Sequence, residues 1–258
     1  MPYPAFVRPS LLLSALVAAA VALPAQAQAP RQPAPPKAYK AIPVTIAKPS
    51  DDASFVTFRK QLADIAGKKD RAALAKITAS DFFWIGEKGD KADKKKSAID
   101  NLAAAIELDD KDGAGWEALK AAAAEATLEV VPDRKGVMCG PANPAFDEAA
   151  ADNLAKDTGT DPSEWGYVLK PDTEVRGAAK ADAPVIDKLG QILVRIMLDD
   201  QAAAAGTPAQ SPPFLRVVTP AGKVGYVAEE QLSPLGTDQL CYTKDGNSWK
   251  IAGYAGNE

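Results

Sequence analysis

Residues 214–235 read FLRVVTPAGKVGYVAEEQLSPL. FLRVV and KVGYV are apolar runs of strand length, and the Thr-Pro-Ala-Gly between them is turn chemistry. Gly222 and Gly225 supply turning freedom and room for close backbone approach, while Tyr226 and Val227 point to opposite faces of a strand. Outward from this unit the same rhythm holds. From Gly166 the runs GYVLK, TEVRG, APVIDKLG and ILVRIML succeed one another, separated by turn residues. Short apolar runs at this spacing predict a small antiparallel β-barrel over 166–235. The insert DDQAAAAGTPAQSPP, 199–213, breaks the series as a loop. Beyond the barrel, LCYTKDGNSWKIAGY places two strand-like runs about a Lys-Asp-Gly-Asn turn, a β-hairpin within 236–258.

Upstream the period changes to that of helices. Phe55, Phe58, Leu62 and Ile65 mark one face of an amphipathic helix. Gly67 is placed to end it, and Asp70 to cap a short helix carrying Leu74 and Ile77. DFFWI, 81–85, is an aromatic strand or core-facing turn, and GEKGDKADKKK, 86–96, a solvated loop. A third helix carries Ile99, Leu102 and Ile106; a fourth begins near Asp112 and carries Trp116 and Leu119. TLEVV, 127–131, reads as a strand stopped by Pro132, and AFDEAAADNLAKDTG as a helix closed by Gly159. Residues 98–119 echo a single tetratricopeptide unit, but a solenoid needs about three copies at a period near 34, and no second copy is visible.

The N-terminus carries an address. Arg8 precedes the apolar run LLLSALVAAAVAL, which is too short to span a bilayer and ends in PAQAQA, a small-residue cleavage site. Residues 1–27 are therefore expected to be a cleavable signal peptide, with an uncleaved anchor as the alternative. The expected location is periplasmic or secreted, with no membrane span after cleavage. Residues 28–53, rich in Pro and Ala, read as an extended linker. Removing the signal takes away one arginine and no acid, leaving the chain more negative than the −4 of the full sequence. An acidic chain without a long basic run is a poor nucleic-acid binder. Cys139 and Cys241 are an even pair in an oxidising compartment, so a disulfide is expected; two unrelated buried thiols are the alternative.

Residues 167–235 resemble the bacterial Src-homology-3-like (SH3-like) domain of exported proteins. The resemblance rests on Val175 and Arg176, then Pro184, Val185, Ile186, Leu189 and Gly190. It continues through Val194, Phe214 with Val217, Gly222, Gly225, Tyr226, Val227 and Leu232. It departs where Glu174 replaces the usual Asn, where GAAKADA replaces a Ser-Gly-Pro-rich turn, and where Phe214 and Tyr226 stand in place of tryptophan. The resemblance implies a groove that binds peptide or peptidoglycan, with Arg176, Phe214 and Tyr226 as its contact residues.

Composition excludes much catalysis. The chain has no histidine, which removes Ser-His-Asp and Cys-His systems, imidazole acid–base work and His-ligated zinc. LDDKDG, 108–113, fails as an EF-hand, because a Gly at the sixth position puts Leu108 and Leu119 where oxygen donors must stand. GEKGDK lacks the phosphate-loop spacing. Lysines 88, 91, 94, 95 and 96 are interleaved with Asp90 and Asp93, a solvated face rather than a patch for an anionic polymer. The carboxylate pairs Asp147–Glu148 and Glu229–Glu230 are adjacent in sequence and point apart, not toward each other as a glycosidase requires. Of the four tryptophans, Trp116 reads as core, and Trp249 as either a plug joining the two halves or a ligand platform.

The sequence thus predicts an α+β protein: a helix-rich N-terminal domain over 54–165, the small SH3-like β-barrel, and a C-terminal hairpin returning to the first domain. A disulfide between Cys139 and Cys241 would tie that hairpin down. The expected function is a non-catalytic, exported cell-envelope protein that binds peptidoglycan, a peptide or a partner protein, without cofactor or metal. A structural envelope protein whose barrel groove is filled by its own chain is the first alternative, and a carboxylate-dependent cell-wall hydrolase the second.

Overall fold

Helix α1 (Ala53–Lys68) starts where Asp52 Oδ1 accepts the backbone N–H groups of Ser54 and Phe55, at 2.8 and 3.2 Å. It presents Phe55, Phe58, Leu62 and Ile65 to the core, runs through Gly67, and ends at Lys69 in the left-handed conformation. Asp70 then caps the short α2 (Arg71–Lys76). The computed structural model describes residues 36–86, 88–197, 213–246 and 248–256. The signal peptide over 1–27, the first residues of the 28–53 segment and all but Pro213 of the 199–213 insert lie outside the described residues.

Two sheets organise the rest of the chain. The first is built from β1 (Thr78–Gly86), β2 (Gly89–Asp90), β3 (Glu129–Val130), β4 (Val137–Gly140), β12 (Gln239–Asp245) and β13 (Ser248–Ala255), in the order β2-β1-β13-β12-β4-β3. The terminal hairpin therefore supplies its two central strands. β13 runs parallel to β1 and antiparallel to β12. One face of this sheet is covered by α1, α3 (Ala98–Ala105) and α4 (Ala114–Ala124). Phe55 meets Tyr242 and Trp249 with ring centroids 5.3 and 5.0 Å apart, and Leu62, Leu102 and Leu119 are fully buried beside them. Each such side chain contributes about 1.5–3 kcal/mol by leaving water. Trp249 is core, and its Nε1 donates to Ser54 Oγ at 2.9 Å, tying the hairpin to the start of α1.

A smaller cluster of Phe83, Cys139, Cys241 and Ala252 forms beside this core. Cys139 on β4 stands directly opposite Cys241 on β12, and the two are joined in a disulfide. Gly253 is the next residue in that row, opposite both Cys241 and Phe83. Any side chain on Gly253 would lie 2.5 Å from the Phe83 ring.

The second sheet has seven strands: β5 (Trp165–Val168), β6 (Thr173–Arg176), β7 (Val185–Leu189), β8 (Leu193–Ile196), β9 (Phe214–Val218), β10 (Val224–Ala228) and β11 (Leu232–Pro234), ordered β11-β5-β8-β9-β10-β6-β7. Each strand gives one residue to a single small core: Val168, Val175, Leu189, Val194, Val217, Val227 and Leu232. The sheet therefore curls around that core. It does not close as the expected barrel, because β11 and β7 remain edges with no ladder between them.

Two domain boundaries are corrected. The N-terminal half is an α+β layer of helices on a sheet, but α5 (Glu148–Thr158), assigned to it by sequence, packs on the second sheet through Leu154. The second half of the 28–53 segment is not a linker. Ile42 and Val44 are buried with Trp165, Tyr167 and Leu193, alternating inward as a strand residue would. Its backbone bonds to Pro220, Gln191, Leu193, Ala145 and finally Ala126, so it forms a strap from the second sheet to the first. Pro-rich composition hid this, because the strap makes isolated bridges rather than a ladder.

Candidate functional site

The outer side of the second sheet carries the residues singled out by sequence. Burial alternates along β6 and β10, with Val175, Gly225 and Val227 inward and Arg176 and Tyr226 outward. Arg176 is the register partner of Tyr226, and Tyr226 of Arg216. Directly opposed residues share a face, so the three form a row Arg176–Tyr226–Arg216 across β6, β10 and β9. Phe214 lies two residues along β9 on the same face, opposite Ala228.

Arg176 is held by its surroundings: it donates to the Ala183 carbonyl at 2.8 Å and to the Glu174 carboxylate at 2.5 Å. Glu174 thus helps to fix the guanidinium plane. A groove of about 380 Å³ runs beside it, lined by Arg176, Phe214, Glu174, Asp172 and Glu230 among others. Arg176 and Phe214 share this groove, while Tyr226 lies on the adjoining row. Gly222, at φ +76°, makes the β9–β10 turn, where a side chain would also press on the strap backbone at Ala38 and Pro36.

The strap and α5 cover a different part of the sheet. Tyr39 packs edge-on against Trp165, with centroids 5.2 Å apart, and its hydroxyl donates to the Val218 carbonyl at 2.8 Å. Burial pushes the Tyr39 phenol well above its ordinary range, against the opposing influence of Arg195. Arg195 makes two bonds to Glu164, at 3.0 and 2.7 Å, and is thereby committed to the fold.

A second and larger concavity of about 720 Å³ was not foreseen. It lies between α3–α4 and the first sheet. Its sheet wall holds Trp84 on β1, Tyr254 on β13 and Leu240 on β12; its helix wall is alanine, including Ala118 and Ala122. Trp84 and Tyr254 are register partners on parallel strands. Lys91 Nζ stands 5.6 Å from the Trp84 ring centroid, and the Tyr254 hydroxyl donates to Asp238 at 2.5 Å. Glu107 and Glu125 line the same space. Glu125 Oε1 accepts three bonds from Ala126 and Thr127 and so orders the turn after α4. The alanine run of α4 and the isolated Trp84 were the only sequence signals, and the pairing of β1 with β13 that unites them is nonlocal.

Among the described residues no group of three or more Cys, Asp or Glu is arranged to hold a metal ion, and no helix is long and apolar enough to cross a membrane. Comparison with family models, curated proteins and solved structures returns no match to this chain.

Proposed function

We propose that this chain is an exported, non-catalytic cell-envelope protein whose SH3-like module, residues 166–235, binds peptidoglycan, a peptide or a protein partner. The observation that carries the reading is the division of the second sheet's outer side. The strap and α5 pack on β5 and β8 through Trp165, Tyr167 and Leu193. The Arg176–Tyr226–Arg216 row and the groove beside Phe214 lie on β6, β10 and β9, where the strap reaches the Val218 end of β9 and the turn that follows it. A tyrosine with an arginine opposite it on each neighbouring strand, next to a groove with carboxylates, suits a polar ligand with both hydrogen-bonding and apolar parts, such as a peptide or a glycan-linked peptide.

Purified, oxidised protein is to be co-sedimented with sacculi beside its Tyr226→Ala variant. Saturable binding by the wild type, lost in a variant with an unchanged melting curve, is the expected result. Absence of binding by the wild type sinks wall recognition, and a variant that simply unfolds assigns Tyr226 to the fold instead.

A further inference from the structure

We infer that the cleft between α3–α4 and the first sheet is a second binding site, and that its ligand is a small organic cation: an ammonium group joined to a compact apolar body. Its volume, about 720 Å³, lies within the range of small-molecule sites. Its walls are apolar and aromatic, and the alanines of α4 leave unfilled the space that larger core side chains would take.

The charge of the lining selects the ligand. Among the described residues of the lining, three carboxylates, Glu107, Glu125 and Asp238, stand with one ammonium, Lys91. An anion entering here meets net repulsion, a neutral body gains only apolar contact, and a cation gains both. The aromatic pair adds to this preference, because ring faces attract cations. Lys91 over Trp84 shows the geometry at work, with the protein's own ammonium occupying one ring face at the rim. Glu107 sits just past α3 in the left-handed conformation, and among the described residues its carboxylate makes no hydrogen bond or ion pair, so it is available to a ligand ammonium. Asp238 and Tyr254, bonded to each other, form a polar end at the sheet wall.

The site is independent of the groove on the second sheet and is tested separately. Benzyltrimethylammonium, its neutral isostere neopentylbenzene and benzoate are titrated into the full chain by calorimetry and by tryptophan fluorescence. The cation is expected to bind, with the neutral probe about tenfold weaker and benzoate weaker still. Glu107→Gln should weaken the cation several-fold and leave the neutral probe unchanged. Ala118→Leu, an exposed helix position pointing into the cleft, should abolish binding of the cation without lowering the melting temperature. Tyr226→Ala should leave cation binding intact. Equal affinity for the cation and the neutral probe overturns the inference. So does undiminished binding by Ala118→Leu, or no binding of the cation at millimolar concentration.

Discussion

Removing the Cys139–Cys241 bond should destabilise the protein by about 4 kcal/mol, and the size of the loss reports how the chain comes apart. The two cysteines are separated by 102 residues. In the chain-entropy model, closing a loop of that length restricts the unfolded chain by about 4.7 kcal/mol. That figure assumes the whole loop is unfolded. Sheet strands β5–β11 fall entirely within it and carry their own core, Val168 through Leu232. If they persist when the first sheet melts, only about thirty residues of the loop are flexible, and the same expression gives about 3.6 kcal/mol. The assay is urea unfolding of the oxidised protein, the dithiothreitol-reduced protein and the Cys139→Ala/Cys241→Ala variant. With a slope near 3 kcal/mol/M, the midpoint should fall by roughly 1.2–1.6 M. A single transition near the larger shift indicates concerted unfolding; two transitions near the smaller one indicate that the second sheet outlives the first. A shift below about 0.5 M at unchanged slope would refute the reasoning, because the unfolded chain would then hold the cysteines together without the bond.

Gly253→Ala should cost about 1–3 kcal/mol, since its Cβ would lie 2.5–2.6 Å from three carbons of the Phe83 ring, itself held under the Arg134 guanidinium at 3.8 Å. Adding Phe83→Leu should recover part of the loss in a thermal melt, a coupling absent if Gly253 matters only through backbone entropy. The Tyr39 and Tyr242 phenols are both pushed upward, chiefly by burial. In the unfolded chain they ionise near pH 10, so their contribution to stability is complete below that pH and is lost as pH rises above it. A phenolate absorbance titration should show two tyrosines that ionise only with global unfolding. Their titration alongside the exposed tyrosines would contradict a burial origin for the shift.

Local structure was legible wherever a short-range rule decides it. The spacing of Phe55, Phe58, Leu62 and Ile65, the cap at Asp70 and the left-handed stop at Gly159 need only neighbours within a turn or two. The strand rhythm from Gly166 was legible for the same reason, as β6 and β10 alternate a buried residue with a partly exposed one. What escaped was long-range. Nothing near Trp84 announces Tyr254, and nothing in a Pro-rich segment announces that Ile42 and Val44 will sit on Leu193. Arg176, Phe214 and Tyr226 come from a resemblance, and Arg216, the third member of the row, escapes it because register, not sequence, puts it beside Tyr226.

The placement of the terminal hairpin sets an order of events during synthesis. The strands of the second sheet are contiguous in the chain and can pair as soon as they emerge. The first sheet cannot: β1 must wait for its neighbour β13, whose paired residues stand about 170 positions further along the chain. Through that interval the apolar faces of α1 and α4 have no central strands to close on. The last residues made are thus the ones that complete the first half, and the disulfide can form only once Cys241 has arrived to face Cys139. The nascent helical half is a natural client for a holding chaperone, while the second sheet downstream of it is already paired.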